Sequence, residues 1–124
     1  MLDQHVWTTW HLLRAFLPRM AAGGWGRVVV VSAPVTTQPA AKSAPYSAAK
    51  AAEEALVLTA AQESKGRGVT ANVIHVRSID EEHRCRPGSS AATPEEIVAA
   101  MLYLCSDEGG PVTGARVPLT GGGA

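Results

Sequence analysis

Two side chains that could transfer a proton stand four residues apart near the middle of the chain. Tyr46 and Lys50 begin an alanine-rich segment with high helix propensity, and a helix would stack them on one face, one turn apart. A phenol has a pKa of about 10, but a neighbouring ammonium favours its ionised form. This spacing is common by chance, so its context must decide whether the pair exchanges a proton with a carbonyl or an alcohol.

The elements that would position this pair alternate along the sequence. We predict a helix over residues 2–20, a strand over 27–32, a helix over 45–65, a strand over 69–76, a helix over 94–106 and a strand over 112–119. Such alternation is typical of an α/β fold with a parallel sheet. Because a sheet of three strands leaves a strand edge open, we expect it to pair with more sheet or with a second chain.

Three local signals support these elements. Apolar residues recur every three or four positions in the first helix, at Val6, Trp10, Leu13, Leu17 and Met20. The valine run at 28–31 is short and β-branched, as in a strand that is covered on both faces. Thr93 followed by Pro94 and Glu96 is a start signal for the third helix.

The bulk composition limits the classes of function. With 124 residues, of which 46% are apolar and 18% charged, the chain is expected to form one globular domain. Its net charge of zero argues against a nucleic-acid partner, and the sequence contains no signal peptide or membrane-spanning run. Two cysteines are too few for a disulfide framework, so we expect free thiols and a cytoplasmic location.

The order of several motifs resembles the C-terminal half of the short-chain dehydrogenase/reductase family. The motifs are Gly26-Arg27 before the valine strand, Tyr46-Ser-Ala-Ala-Lys50, Gly68-Val-Thr-Ala-Asn72, the helix that starts at Pro94 and ends Leu104-Cys-Ser-Asp107, and Val112-Thr-Gly114. The resemblance covers nearly all 124 residues. It implies a single truncated domain over 1–124, the C-terminal part of a Rossmann-like doubly wound parallel sheet whose N-terminal nucleotide-binding half is missing.

The resemblance also implies a reaction, a cofactor and a partner. Tyr46 would donate or accept the substrate proton, while Lys50 would lower the pKa of the tyrosine and hold the nicotinamide ribose. Both residues would therefore be catalytic and cofactor-binding, and the cofactor would be NAD or NADP. In this family the first two helices of this segment build a four-helix dimer interface, which implies a homo-oligomer or a hetero-oligomer with a full-length member.

Several positions depart from the family pattern. The serine that holds the substrate oxygen lies thirteen residues before the tyrosine, and that position is Ala33, one residue after Ser32. Either the loop is one residue longer and Ser32 is the catalytic serine, or the oxyanion partner is missing, as an alignment without a gap indicates. His5 replaces the family asparagine, and Val76-Arg77 replaces a Pro-Gly pair.

The glycine-rich turn that receives a pyrophosphate at a helix N-terminus does not precede Tyr46. We therefore expect the chain alone not to bind the nucleotide. Two hypotheses remain open, an oxidoreductase subunit or fragment completed by a missing half and a non-catalytic subunit that acts through oligomerisation, besides a structural fragment with no role of its own. His75, His83 and Cys85 have no recognised zinc spacing, so no metal is expected.

Overall fold

The computed structural model of the protein describes residues 2–36, 40–82 and 91–120. The elements are, in order, α1 (Leu2–Gly23), β1 (Gly26–Ser32), a short 3-10 helix (Pro34–Thr36), α2 (Ala44–Glu63), β2 (Val69–Val76), α3 (Pro94–Cys105) and β3 (Arg116–Leu119). This order confirms the predicted alternation of three helices and three strands. No helix in the described part combines the length and the apolarity needed to cross a bilayer.

The three strands form a parallel sheet in the order β1-β2-β3. On one face, α1 and α2 cover an apolar cluster, made of Val57, Ala60, Ala61, Ala71 and Val73. On the other face, α3 covers a second cluster, made of Ile74, Val76, Ala92, Ile97 and Leu104. Since both faces of β2 are covered, all eight of its residues are buried, whereas residues 27–31 of β1, for which the valine run predicts this burial, are half-buried.

The start of α3 confirms the sequence signal in atomic detail. The Glu96 backbone N–H donates to Thr93 Oγ1 at 3.2 Å, and the Thr93 backbone N–H donates to Glu96 Oε1 at 2.8 Å. Pro94 occupies the first turn, where its missing N–H costs nothing. This capping box fixes the point at which the chain turns back onto the sheet.

The predicted start of the last strand was wrong. The last strand begins at Arg116 rather than at 112, because Gly114 has a φ of 72° and interrupts the extended backbone. The Asn72 side chain holds that turn by donating to Val112 O at 2.9 Å and accepting from Ala115 N at 3.0 Å. The first helix continues past Met20 to Gly23 and ends only where Gly24 takes a φ of 78°.

Candidate active site

Tyr46 and Lys50 lie in the first turns of α2, as predicted, and both are half-buried. The helix begins without a side-chain cap, but Pro45 pre-sets its first turn and the hydroxyls of Ser43 and Ser47 lie 2.9 Å apart across that turn. Among the described residues, no hydrogen bond joins the Tyr46 hydroxyl to Lys50 or to Ser32. The pair shares a helix face, but the side chains do not form a bonded unit.

The Lys50 ammonium is instead held by the strand and by its own helix. Its Nζ lies 3.4 Å from Val31 O on β1 and 3.3 Å from Glu53 Oε1. The side chains of Lys50 and Glu53 are only 13% and 9% exposed, so this ion pair is largely shielded from water. Glu53 also accepts a hydrogen bond from the Thr9 hydroxyl of α1 at 2.7 Å. One buried carboxylate thus connects the candidate lysine to both helices of this layer.

Ser32 and Ala33 are both buried at the end of β1. Ser32 pairs in register with His75, so both side chains lie on the face of the sheet that α2 covers. The Ser32 hydroxyl lies near the Glu54 carboxylate, yet its Oγ meets no partner at the distance and angle of a hydrogen bond. The prediction that Ser32 is catalytic therefore stays a prediction, and Ala33 carries no group that could replace it.

Behind this serine lies a buried polar network that the sequence did not predict. Glu54 is fully buried, and its Oε2 lies 3.0 Å from His75 Nε2 while its Oε1 accepts from Arg116 Nε at 2.8 Å. Because an ionised carboxylate can only accept, the Nε2 of His75 must carry the proton of that bond. The Thr36 hydroxyl lies 3.3 Å from the same ring nitrogen. The network connects α2 to β2, β3 and the loop after β1.

The network changes the acidity of Glu54. Burial would raise the pKa of this carboxyl, because the charged form loses its water. The nearby Ser32 hydroxyl, the Arg116 guanidinium, the nearby Thr36 hydroxyl and the His75 N–H together outweigh burial and hold the pKa of Glu54 below its ordinary value, although, of the described residues, only Arg116 and His75 form hydrogen bonds with the carboxylate. The carboxylate is therefore charged in the folded protein near neutral pH, and Arg116 is its principal cationic partner.

A sequence signal for this network existed. His75 is a polar residue inside the otherwise apolar part of β2, and a histidine at such a position needs a buried partner. From the sequence alone, His75 suggests only a metal ligand without a recognised zinc spacing. Glu54 stands four residues after Lys50, so the helix places it one turn further along the same face. The partner from β3, Arg116, could not be paired with it without the strand register.

The remaining predicted positions fall in different places. His5 is half-buried on α1, Val76 is buried at the end of β2 and Arg77 is exposed. Ile79 and Ala92 form an isolated parallel bridge that closes the segment after β2. His83, Cys85 and the glycines at 121–123 lie outside the described residues. Within the described ranges, no group of three histidine, cysteine, aspartate or glutamate side chains could hold a metal ion.

Comparisons with known proteins support the resemblance. A family model described as enoyl-(acyl carrier protein) reductase matches residues 1–123. Acetoacetyl-CoA reductase of Allochromatium vinosum is 30% identical over 135 aligned positions, which cover 98% of this chain and 55% of that enzyme. Nodulation protein G of Azospirillum brasilense is 34% identical over 118 positions, which cover 85% of this chain and 48% of that protein.

A solved structure supports the fold. The crystal structure of a protein provisionally described as a betaketoacyl-ACP reductase superimposes with a TM-score of 0.88 at 28% identity. The alignment covers 99% of this chain and 57% of the other, so the chain spans about half the length of the relatives it matches. The family implies a nicotinamide cofactor. On the match of nearly its whole length, the chain belongs to the short-chain dehydrogenase/reductase family.

Proposed function

We propose that this chain supplies the proton-transfer half of an NAD(P)-dependent oxidoreductase that acts on carbonyl or alcohol groups. Tyr46 exchanges the proton with the substrate oxygen, while Lys50 favours the phenolate and binds the nicotinamide ribose. The observation that carries the proposal is the position of Tyr46 and Lys50 on one face at the start of α2, next to the carboxyl end of β1. Ligands of α/β sheets bind at this carboxyl edge of the strands.

The side chains present fit one end of the cofactor. The Tyr46 hydroxyl and the Lys50 ammonium are donors that could hold a ribose, and the bound nicotinamide would give or accept the hydride. A pyrophosphate needs a glycine turn that opens a helix. Of the described helices, α2 follows Ser43 and α3 follows Thr93, so neither offers that turn. We therefore propose that the pyrophosphate is held by residues outside this chain's described part.

The test of this function is reconstitution with the nucleotide-binding half of a family member. The chain alone should show no saturable binding of NADH or NADPH by calorimetry at sub-millimolar concentration. The mixture should oxidise the reduced nucleotide in the presence of a carbonyl substrate, and Tyr46→Phe should abolish that turnover. Tyr103→Phe, on an exposed face of α3, is the matched control and should leave it unchanged. Equal turnover with Tyr46→Phe would refute the role of Tyr46.

The buried Ala33 sets a limit on the rate. A lost oxyanion donor costs about a hundredfold to a thousandfold in hydrolytic enzymes, and a similar order is expected here. Ala33→Ser in the reconstituted mixture should therefore raise turnover by at least about tenfold. If turnover is unchanged, Ser32 or another group already fills the role, and the assignment of the missing donor to Ala33 is wrong.

A second candidate function, a non-catalytic subunit that acts through oligomerisation, is favoured by the surface of α1 and α2. A groove of about 300 Å³ runs between the two helices and is mostly apolar; it includes Trp10, Leu13, Leu17, Pro18 and Leu56. Trp7, Leu12 and Phe16 are each half-exposed on α1. We propose that a second copy, or a full-length family member, covers this surface, because contiguous exposed apolar patches mark interaction sites.

Light scattering at micromolar concentration tests that interface. The wild-type chain should have the mass of a dimer or a larger assembly, and Trp10→Lys should reduce it to a monomer. Leu102→Lys on α3 is the control, because this leucine is even more exposed, at 67%, but lies away from the groove. A monomeric wild-type mass, or equal loss of assembly in both variants, would contradict an interface at α1 and α2.

A further inference from the structure

The first turns of α2 hold Lys50 in an arrangement that works against its proposed role. A lysine that supports Tyr46 must extend toward the residue four positions before it on the helix. The Lys50 ammonium instead contacts Glu53, three positions after it, at 3.3 Å. Its second contact, Val31 O at 3.4 Å, lies on β1. Both contacts engage the ammonium on the side of β1 and of the following helix turn, and neither involves the Tyr46 hydroxyl.

We infer that Glu53 is a positioning residue that tethers the Lys50 ammonium against β1 and so withholds it from Tyr46. This inference rests on the proposed function, because it assigns a control to the same tyrosine and lysine. It adds a carboxylate, Glu53, that none of the sequence motifs includes. The tether is an ion pair between side chains that are 13% and 9% exposed, where water screens the attraction little.

The position of Glu53 is itself fixed by α1. The Thr9 hydroxyl donates to Glu53 Oε2 at 2.7 Å, which leaves Oε1 directed at Lys50. A free glutamate on a helix surface samples several rotamers, whereas this one is bonded at both oxygens and the whole residue is 7% exposed. The neighbouring Glu54 cannot replace it, because its carboxylate is engaged by His75 and Arg116.

Alkaline titration of the full chain measures the consequence at Tyr46. The sequence has two tyrosines, so Tyr103→Phe makes Tyr46 the only source of tyrosinate absorbance. In that background, Glu53→Gln should move the absorbance midpoint to lower pH by about one unit, since a released ammonium can approach the phenol. With Lys50→Met also present, the same Glu53→Gln change should move the midpoint by less than half as much. Glu63→Gln, an exposed glutamate at the far end of α2, should not move it.

The comparison of the two backgrounds separates tethering from simple charge removal. If Glu53 acted only through its own field, Glu53→Gln would shift the midpoint equally with and without Lys50. Equal shifts, or no shift, would overturn the inference. The titration needs no nucleotide and no partner half, so a failed reconstitution and a failed tether are distinguishable results.

Labelling at neutral pH gives a second measurement. The chain has three lysines, and Lys42 and Lys65 are exposed, so they serve as internal standards for acetylation followed by mass spectrometry. Glu53→Gln should raise the rate at Lys50 several-fold relative to both standards, and Thr9→Val should raise it less. An unchanged ratio would contradict the tether. A raised ratio without a tyrosinate shift would contradict the effect on Tyr46 and with it the inference.

Discussion

The two faces of the sheet are built differently at the carboxyl ends of the strands. On the α3 face, the end of β2 packs only apolar side chains, such as Ile74 and Val76 against Ile97 and Leu104. On the α2 face, the apolar cluster around Val73 gives way to hydrogen-bonded polar groups, with His75 next to Ser32 and Glu54 above them. At its carboxyl end, β2 thus makes apolar packing contacts on one face and side-chain hydrogen bonds on the other.

The two faces also differ in the charge that they bury. On the α2 face, the buried Glu54 carboxylate meets a histidine and an arginine, whereas the residues of the cluster that α3 covers are apolar. The polar groups lie at the end of the sheet where the candidate residues Tyr46 and Lys50 also stand. We therefore expect substitutions in the apolar cluster of the α3 face to lower the free energy of unfolding by the same amount at different pH values. The effect of substitutions among the polar groups of the α2 face should depend on pH.

The largest expected effect comes from the apolar face. Leu104 is 2% exposed and packs in the α3 cluster, so Leu104→Ala should leave a cavity and lower the free energy of unfolding by about 3 kcal/mol. Urea unfolding followed by circular dichroism measures this loss, which should be the same at pH 7 and at mildly acidic pH. Leu102→Ala, on the exposed side of α3, is the control and should cost little. If the unfolding free energy lost by Leu104→Ala changed with pH, the proposed difference between the two faces would be wrong.

On the polar face, Glu54→Gln should lower the free energy of unfolding by about 2 kcal/mol at neutral pH. The amide has a single acceptor oxygen and no charge, so either His75 or Arg116 loses its acceptor and neither keeps a charged one. Glu63→Gln, an exposed glutamate on the same helix, is the matched control and should change the unfolding free energy little. Equal stability of Glu54→Gln and wild type would show that the network adds nothing.

The same carboxylate predicts a pH dependence with a definite sign. The pKa of Glu54 is lower in the folded protein than its ordinary value, because donated hydrogen bonds outweigh burial. Its contribution is therefore complete above the ordinary glutamate pKa and is lost as the pH falls through the lowered folded pKa. The stability difference between wild type and Glu54→Gln, measured by urea unfolding across this range, should shrink on acidification. A difference that grows would contradict the direction of the shift.

Much of the fold could be predicted because it depends on local signals. The valine run at 28–31 and the Thr93 cap are recognised from neighbouring residues, and the first strand and the third helix follow from them. The turn at Gly114 was missed, because its stabilising partner is the side chain of Asn72, a distant residue. The same reason applies to the site: Tyr46 and Lys50 belong to one helix, whereas Glu54, His75 and Arg116 meet only through the register of three strands.

The smallest effect is expected at the outer end of the polar network. The Arg116 side chain is 46% exposed, so water already screens its attraction to Glu54 and the guanidinium stays hydrated when unpaired. Arg116→Met should therefore lower the free energy of unfolding by about 1 kcal/mol or less, and this loss should shrink in high salt. Arg67→Met, an exposed arginine in the turn after α2, is the control. A loss as large as that of Glu54→Gln would mean that water screens this ion pair far less than the 46% exposure of its arginine implies.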